Sequence, residues 1–370
     1  MTKAAELAKM GEVLTNSQIG GRRNMVINGA MQVAQRGTSE TGMGAADGYF
    51  TVDRFAMAFS GTAGRLTMTQ EDITDLSGFP HALKLACTTA DTSIAAGEFA
   101  LLQHKFEGQD VQQLKKNTSD AEQFTISFYV KGNANATYTL EVKDNTNGRN
   151  NSQNFNVTTS WNRVSLTFAA DTAGSSLINN DNSLEFFFQI WLHAGSTYNG
   201  GTFASNTWID QVQNKRSDSS STSFFDSTDR TFFITGVQME VGSQATPFEH
   251  RSFGEELRLC QRYYQEFGEP TGTYYTLFPS NRWSTNTNFI TIFTHENMRA
   301  APSLSMASGS TTGDMIGNSQ TDSFTIGNMT VQDYDGRVAT ISIGLDFDPG
   351  NHAYVCRLNE DNVLALSSEL

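Results

Sequence analysis

Charge is scarce in this chain: Asp, Glu, Lys and Arg make up only 17% of its 370 residues. The basic share is smaller still, 25 residues against 39 acidic ones, for a net charge of -14. A nucleic-acid binder needs a cationic footprint to neutralise phosphates, and an anionic membrane surface demands the same, so neither partner is expected. The basic runs are no longer than the pairs Arg22-Arg23, Lys115-Lys116 and Lys215-Arg216. Cysteine is almost missing. Cys87, Cys260 and Cys356 are far apart and odd in number, which suits neither a disulfide framework nor a zinc knuckle, and they read as buried thiols. No apolar run reaches membrane-spanning length, and the N-terminus lacks the apolar centre of a signal peptide. The expectation is a chain made in a cytoplasm, soluble and without membrane insertion.

What the chain does contain is glycine and phenylalanine, 31 and 26 residues, beside abundant Ser, Thr and Asn. Many aromatics with few charges and many turn formers is what short strands joined by tight turns require. The length suffices for two domains, each with its own core.

Residues 1–21 form a separate piece. Ala4, Leu7, Ala8 and Leu14 fall near one helical face, and Gly20-Gly21 ends the pattern. A helix this short does not fold alone, so it needs a groove on a partner or copies of itself. From residue 24 the period becomes two. In FTISFYVKG, Phe124, Ile126, Phe128 and Val130 share one face. TYTLEVKD follows, with Asn147-Gly148 suited to a type I′ hairpin turn, and NFNVT and WNRVSLTFAA read as returning strands. LEFFFQIWL, 184–192, is apolar on both faces, as a central strand covered on both sides should be. Residues 107–116 suggest a short helix or turn crossing a sandwich edge, and 214–229 a polar loop, mobile in part. FFITGVQMEVG closes the series, with Gly236 where a bulge would bend the strand.

The stretch 235–265 then changes period. Val237, Met239 and Val241 alternate with Gln238 and Glu240; Gly242 and Pro247 stop the strand. From Ser252, with Glu255 three residues on, a capping box opens a helix whose face carries Phe253, Leu257, Cys260 and Tyr264. Beyond Gly268 strand patterns resume in NFITIFT, DSFTIGNMTVQ, GRVATISIGLDF and HAYVCRL, with a hairpin turn at Asp335-Gly336. The fold class is all-β: an N-terminal short helix (1–21), a jelly-roll β-sandwich (22–252), a linking helix (253–267) and a smaller distal β-domain (268–370).

Chemistry is sparse. Glu249-His250-Arg251 looks like an active-site run, but consecutive side chains diverge and cannot converge on one substrate. No Gly-x-Ser-x-Gly elbow is present. The remaining histidines, His81, His104, His193, His295 and His352, have no paired spacing, so no metal triad and no cofactor is expected. Asp181 and the loop 226–229 offer oxygen ligands but match no EF-hand, and turn formation explains both. Trp208, Trp283, Tyr274 and Tyr275 lie in polar surroundings and are the candidate glycan contacts, since sugar rings stack on aromatic faces; packing between subunits is the competing role. Trp161 and Trp191 read as core.

Two boxes carry a resemblance. NMVINGAMQVAQRGTS, 24–39, followed by GYFTVDRF, 48–55, resembles the opening of many bacteriophage fibre proteins and related virion proteins. FFITGVQMEVGSQATPFEHRSFGEELRLCQRYYQ is similar to the end of the same module, and the interior strands look like a carbohydrate-binding-module type of jelly roll. The resemblance implies architectural roles for Asn28, Gly29, Asp53, Arg54, Gly236, Glu240, Pro247 and His250. It also implies a homotrimer on the particle exterior, attached to a tail or capsid protein through the N-terminal helix and facing a host-surface glycan or protein. The expected function is a tail fibre or spike contributing to host recognition. A capsid head-fibre or decoration protein is the alternative, and a glycan-depolymerising enzyme a third, disfavoured because no β-helix repeat is present.

Overall fold

In a computed structural model the described residues are Lys3, 22–267 and, beyond these, 276–284, 287–294, 296–308, 312–317, 320–325, 329–335, 338–344, 354–358 and 363–370. The expected anchor residues Ala4, Leu7, Ala8 and Leu14 lie outside them, as do Tyr274 and Tyr275. The chain divides into two compact units, 1–252 with Leu370, and 253–369. Among the described residues no helix is long and apolar enough to cross a membrane.

The strands of the first unit are β1 (Ser39–Met43), β2 (Gly48–Tyr49), β3 (Phe55–Ser60), β4 (Arg65–Asp72), β5 (His81–Thr89), β6 (Phe99–Glu107), β7 (Phe124–Gly132), β8 (Ala136–Asp144), β9 (Arg149–Val157), β10 (Asn162–Phe168), β11 (Leu184–Ala194), β12 (Ile209–Asp210) and β13 (Thr231–Val241). They form two sheets, ordered β1-β4-β5-β13-β7-β10 and β12-β9-β8-β11-β6-β3-β2. Every named strand pair is antiparallel. This is a jelly-roll sandwich, and one core joins its sheets: Met68, Leu85, Phe128 and Ile234 from the first meet Met57, Leu102, Leu140 and Phe188 from the second. Each such side chain contributes roughly 1.5–3 kcal/mol by leaving water. β11 lies between β8 and β6, so its apolar character on both faces has a cause: Phe186, Phe188 and Ile190 enter the core while Trp191 packs on the outer face with Phe99 and Tyr198.

The connection from β8 to β9 departs from expectation. It holds four residues, and of Asn147 and Gly148 only Gly148 has positive φ, so it is not a type I′ turn. Asp144 Oδ1 accepts the Asn147 N–H at 3.0 Å and shapes the turn instead. The stretch 107–116 contains a 3-10 helix, Gly108–Leu114. The loop 214–229 is tied down rather than loose: it carries short 3-10 turns, and Phe224 and Phe225 are fully buried in the main core.

The second unit begins with a helix, Phe253–Gln261, followed by β14 (Tyr264–Phe267), β15 (Thr276–Ser284), β16 (Thr287–Phe293), β17 (Ser303–Ser308), β18 (Thr312–Gly317), β19 (Gln320–Thr325), β20 (Met329–Tyr334), β21 (Val338–Gly344), β22 (Tyr354–Leu358) and β23 (Val363–Ser367). The expected helix over 253–267 is therefore too long. Tyr264 starts a strand that pairs with β23, since an aromatic run beside an open strand edge gains more from the ladder than from another helical turn. Phe253 is 56% exposed, whereas Glu256 and Cys260, one turn apart, mark the buried stripe. The sheets are β14-β23-β17 and β19-β18-β22-β15-β16-β21-β20. Ile292, Ile341 and Ile343 of the larger share a core with Leu364 and Leu366 of the smaller.

Candidate functional site

The two sequence boxes meet around the start and end of the first unit. Asn28 is fully buried with φ 60°. Its amide donates to Val33 O at 2.8 Å and Asp53 O at 2.9 Å, and its Oδ1 accepts the Val33 N–H at 3.0 Å. Gly29 lies where an added Cβ would stand 2.1 Å from Val237 O, and its own carbonyl accepts the Val237 N–H at 2.9 Å. Only a residue without a side chain allows that approach. Asp53 accepts the Gln35 N–H, and Arg54, 1% exposed, donates to Lys105 O at 2.8 Å. The register of β13 against β7 shifts between Thr235 and Gln238, around Gly236 with φ +62°.

Glu249 and Arg251 both hold the segment 23–26, while His250 packs elsewhere. Glu249 accepts the N–H groups of Arg23 and Asn24, both at 2.7 Å. The His250 ring packs on Phe79 and Phe248. Arg251 donates to Val26 O at 3.0 Å and to Asn24 O. Glu240 accepts from Gln238 and Thr246, and the Pro247 carbonyl from Thr246 Oγ1. These residues clasp the first strand-like segment to the last strand.

A different region holds the concentration of buried polar chemistry: the outer face of the second sheet. There the excursion between β11 and β13 lies across β8 and β11, beginning with a one-turn helix, Ser196–Asn199. Its Arg216 donates to Glu141 Oε1 at 2.9 Å, Glu141 Oε2 at 2.8 Å and Gln189 Oε1 at 3.0 Å. The guanidinium stands 4.8 Å from the Trp191 ring centre, and Trp191 Nε1 donates to Glu141 at 2.9 Å. Trp191 is 1% exposed, so it is buried, but under this excursion rather than in the main core. No sequence signal marks this network, because Glu141, Trp191 and Arg216 belong to separate segments.

Two depressions flank Thr222 on this face. One, of about 380 Å³, is bounded by Asn135, Thr137, Asn156, Thr158 and Thr222. The other, of about 130 Å³, is bounded by Trp191, His193, Asn199 and the hydroxyl residues Ser217, Ser219, Ser221 and Ser223. Thr137 and Thr222 hold each other, N–H to hydroxyl at 3.0 Å and N–H to carbonyl at 2.7 Å. Beside the apolar Ala136, Val157, Ile94, Ala194 and Trp191 and the His193 ring, the polar lining is amide and hydroxyl, with no Lys or Arg: a surface for neutral, hydrogen-bonding ligands.

Of the aromatic candidates, Trp208 is half-buried. The Lys116 ammonium stands 4.1 Å from its ring centre, and its indole N–H is donated to Ala169 O at 2.7 Å. Lys116 is itself buried between Asp144 and Asp171, at 2.8 and 2.6 Å, and Arg149 completes the cluster through Asp171. Burial raises the pKa of Asp171, but the hydrogen bonds from Arg149 and Lys116 outweigh it and hold the carboxyl below the usual range. Trp283 lies on β15, whose side chains are outside the described residues, and Tyr274 and Tyr275 are outside them altogether.

No family model matches the chain. Neither does any curated protein. Solved structures similar to it include a family 4 carbohydrate-binding module at 13% identity and TM-score 0.28, covering 51% of this chain and 88% of that one. Another is the module TmCBM61 in complex with β-1,4-galactotriose, at 8% identity and TM-score 0.30, covering 60% and 100%. A third is the family 11 module from Clostridium thermocellum in complex with a β-1,3-1,4-mixed-linked tetrasaccharide, at 9% and 0.28, covering 57% and 99%. Likenesses this weak add nothing to the two-sheet architecture read from the strand order.

Proposed function

We propose that the chain is a virion fibre or spike protein whose jelly-roll unit binds a neutral glycan on the host surface. The observation that carries the glycan reading is the pair of amide- and hydroxyl-lined depressions around Thr222, on the outer face of the second sheet. Sugar hydroxyls are matched by Asn and Thr side chains that donate and accept at once, and a lining without cations selects neutral over acidic sugars. The fibre reading rests on the two sequence boxes, the first closed by Asn28 and Gly29 and the second by Glu249 and Arg251. Within it the N-terminal segment attaches the protein to the particle, and three copies multiply weak sites through avidity. Trp208, Trp283, Tyr274 and Tyr275 are its aromatic candidates for further contacts.

The test is a glycan microarray probed with the full-length protein, followed by titration of the best ligand against Asn156→Ala and Thr137→Val. Binding that weakens tenfold or more in either variant supports the groove. Binding unchanged in both, or none to any glycan, overturns it. Separately, antibody raised to the first unit should decorate projections on purified particles; particles free of label would overturn the virion assignment.

A further inference from the structure

We propose that Asp91, Glu98 and His193 form a binding site for one zinc-type divalent metal ion, joining the loop between β5 and β6 to the end of β11. The proposal does not depend on the glycan reading. One oxygen each from Asp91 and Glu98 and one nitrogen of His193 lie within 4.8 Å of one another. His193 is 2% exposed, and its Nε2 has no hydrogen-bond partner. That atom faces Glu98 Oε2 at 3.6 Å, too far for a hydrogen bond. Tetrahedral zinc with ligand bonds of about 2.0–2.2 Å separates its ligand atoms by roughly 3.3–3.6 Å. The Glu98–His193 pair already stands at that separation, and Asp91, within 4.8 Å of both, closes to it with a shift of at most roughly 1.5 Å.

The surroundings are built as a ligand shell requires. His193 Nδ1 lies 2.8 Å from Ser223 Oγ, which in turn accepts the Phe225 N–H at 3.1 Å. With Nδ1–H donated to that hydroxyl, Nε2 carries the lone pair that faces the carboxylates. Asp91 is oriented by the Thr62 hydroxyl and the Ala63 N–H, both at 2.8 Å, and Glu98 by the Ala95 N–H at 2.9 Å. Gly195 closes the frame: its N–H donates to Glu98 O at 2.8 Å, and an added Cβ would stand 2.0 Å from Ala95 O. The imidazole sets the metal class, because calcium and magnesium take oxygen ligands while zinc accepts nitrogen with carboxylate. His193 also borders the smaller depression, which puts the site at the edge of the outer face.

The experiment strips full-length protein with a chelator and titrates it with zinc chloride by calorimetry, with cobalt(II) absorption as a second readout. One zinc per chain is expected, with affinity at least tenfold weaker in His193→Gln and in Glu98→Gln, and unchanged in His250→Gln. Glu98→Gln guards against misfolding, since it keeps the side chain's size and an amide oxygen that can still accept the Ala95 N–H. Absence of stoichiometric binding, or binding equal to the native protein in a folded Glu98→Gln variant, overturns the proposal.

Discussion

Replacing Arg216 by Ala should detach the excursion that covers the outer sheet face. The guanidinium makes two hydrogen bonds to Glu141 and one to Gln189, and it stacks on Trp191. Glu141 is 0% exposed, so the variant leaves its charge buried with the Trp191 N–H as a remaining donor. Breaking a buried pair by removing one partner costs about 3–5 kcal/mol. Arg216 borders solvent, and water entering its place favours the lower end, about 3 kcal/mol. For a unit of this size that corresponds to a fall in Tm of about 6–12 °C. Denaturant unfolding in a Trp283→Phe background isolates the first unit, because the remaining tryptophans, Trp161, Trp191 and Trp208, all belong to it. The double variant Arg216→Leu, Glu141→Leu should recover part of that loss, since an apolar pair removes the buried charge, while the Trp191 N–H and Gln189 Oε1 left without partners keep about 1–3 kcal/mol of it. A loss below about 1 kcal/mol in Arg216→Ala, with no coupling to Glu141, would refute the reasoning and mean that water screens the pair.

Three further outcomes follow from individual sites. His104 is buried with its pKa held well below 6.5, by burial first and then by the Arg54 charge, so the unfolded chain takes up a proton there that the folded one does not. Stability should therefore fall as pH drops below 6.5, by about 1.4 kcal/mol per pH unit for this one group. His104→Asn should flatten that slope; equal slopes in urea titrations from pH 6.5 to 5 would count against it. Gly29→Ala forces a methyl carbon to within 2.1 Å of Val237 O and should cost about 1–3 kcal/mol or more, measured by calorimetry. In the second unit, Leu366→Ala empties a fully buried position in the core that holds Ile341 and should cost about 2–5 kcal/mol, measured by calorimetry.

What the sequence determined was local. The period of two in FTISFYVKG marks β7, and Phe124, Ile126, Phe128 and Val130 are all buried in the core. Side-chain alternation is fixed by the pleat, so it can be read without knowing any partner. The both-faced apolar run of β11 and the corner at 242–252 were legible for the same reason. Where two local preferences competed, the tertiary structure chose: at Asn147 the carboxylate of Asp144 set the turn, and at Tyr264 the open edge of β23 ended the helix. The polar chemistry was not legible at all. Glu141 meets Arg216 across 75 positions, and His193 reaches Asp91 and Glu98 through the placement of β11 against the β5–β6 loop. In a sandwich the strand order brings distant segments together, and no spacing within any one of them records which partner lies across the sheet.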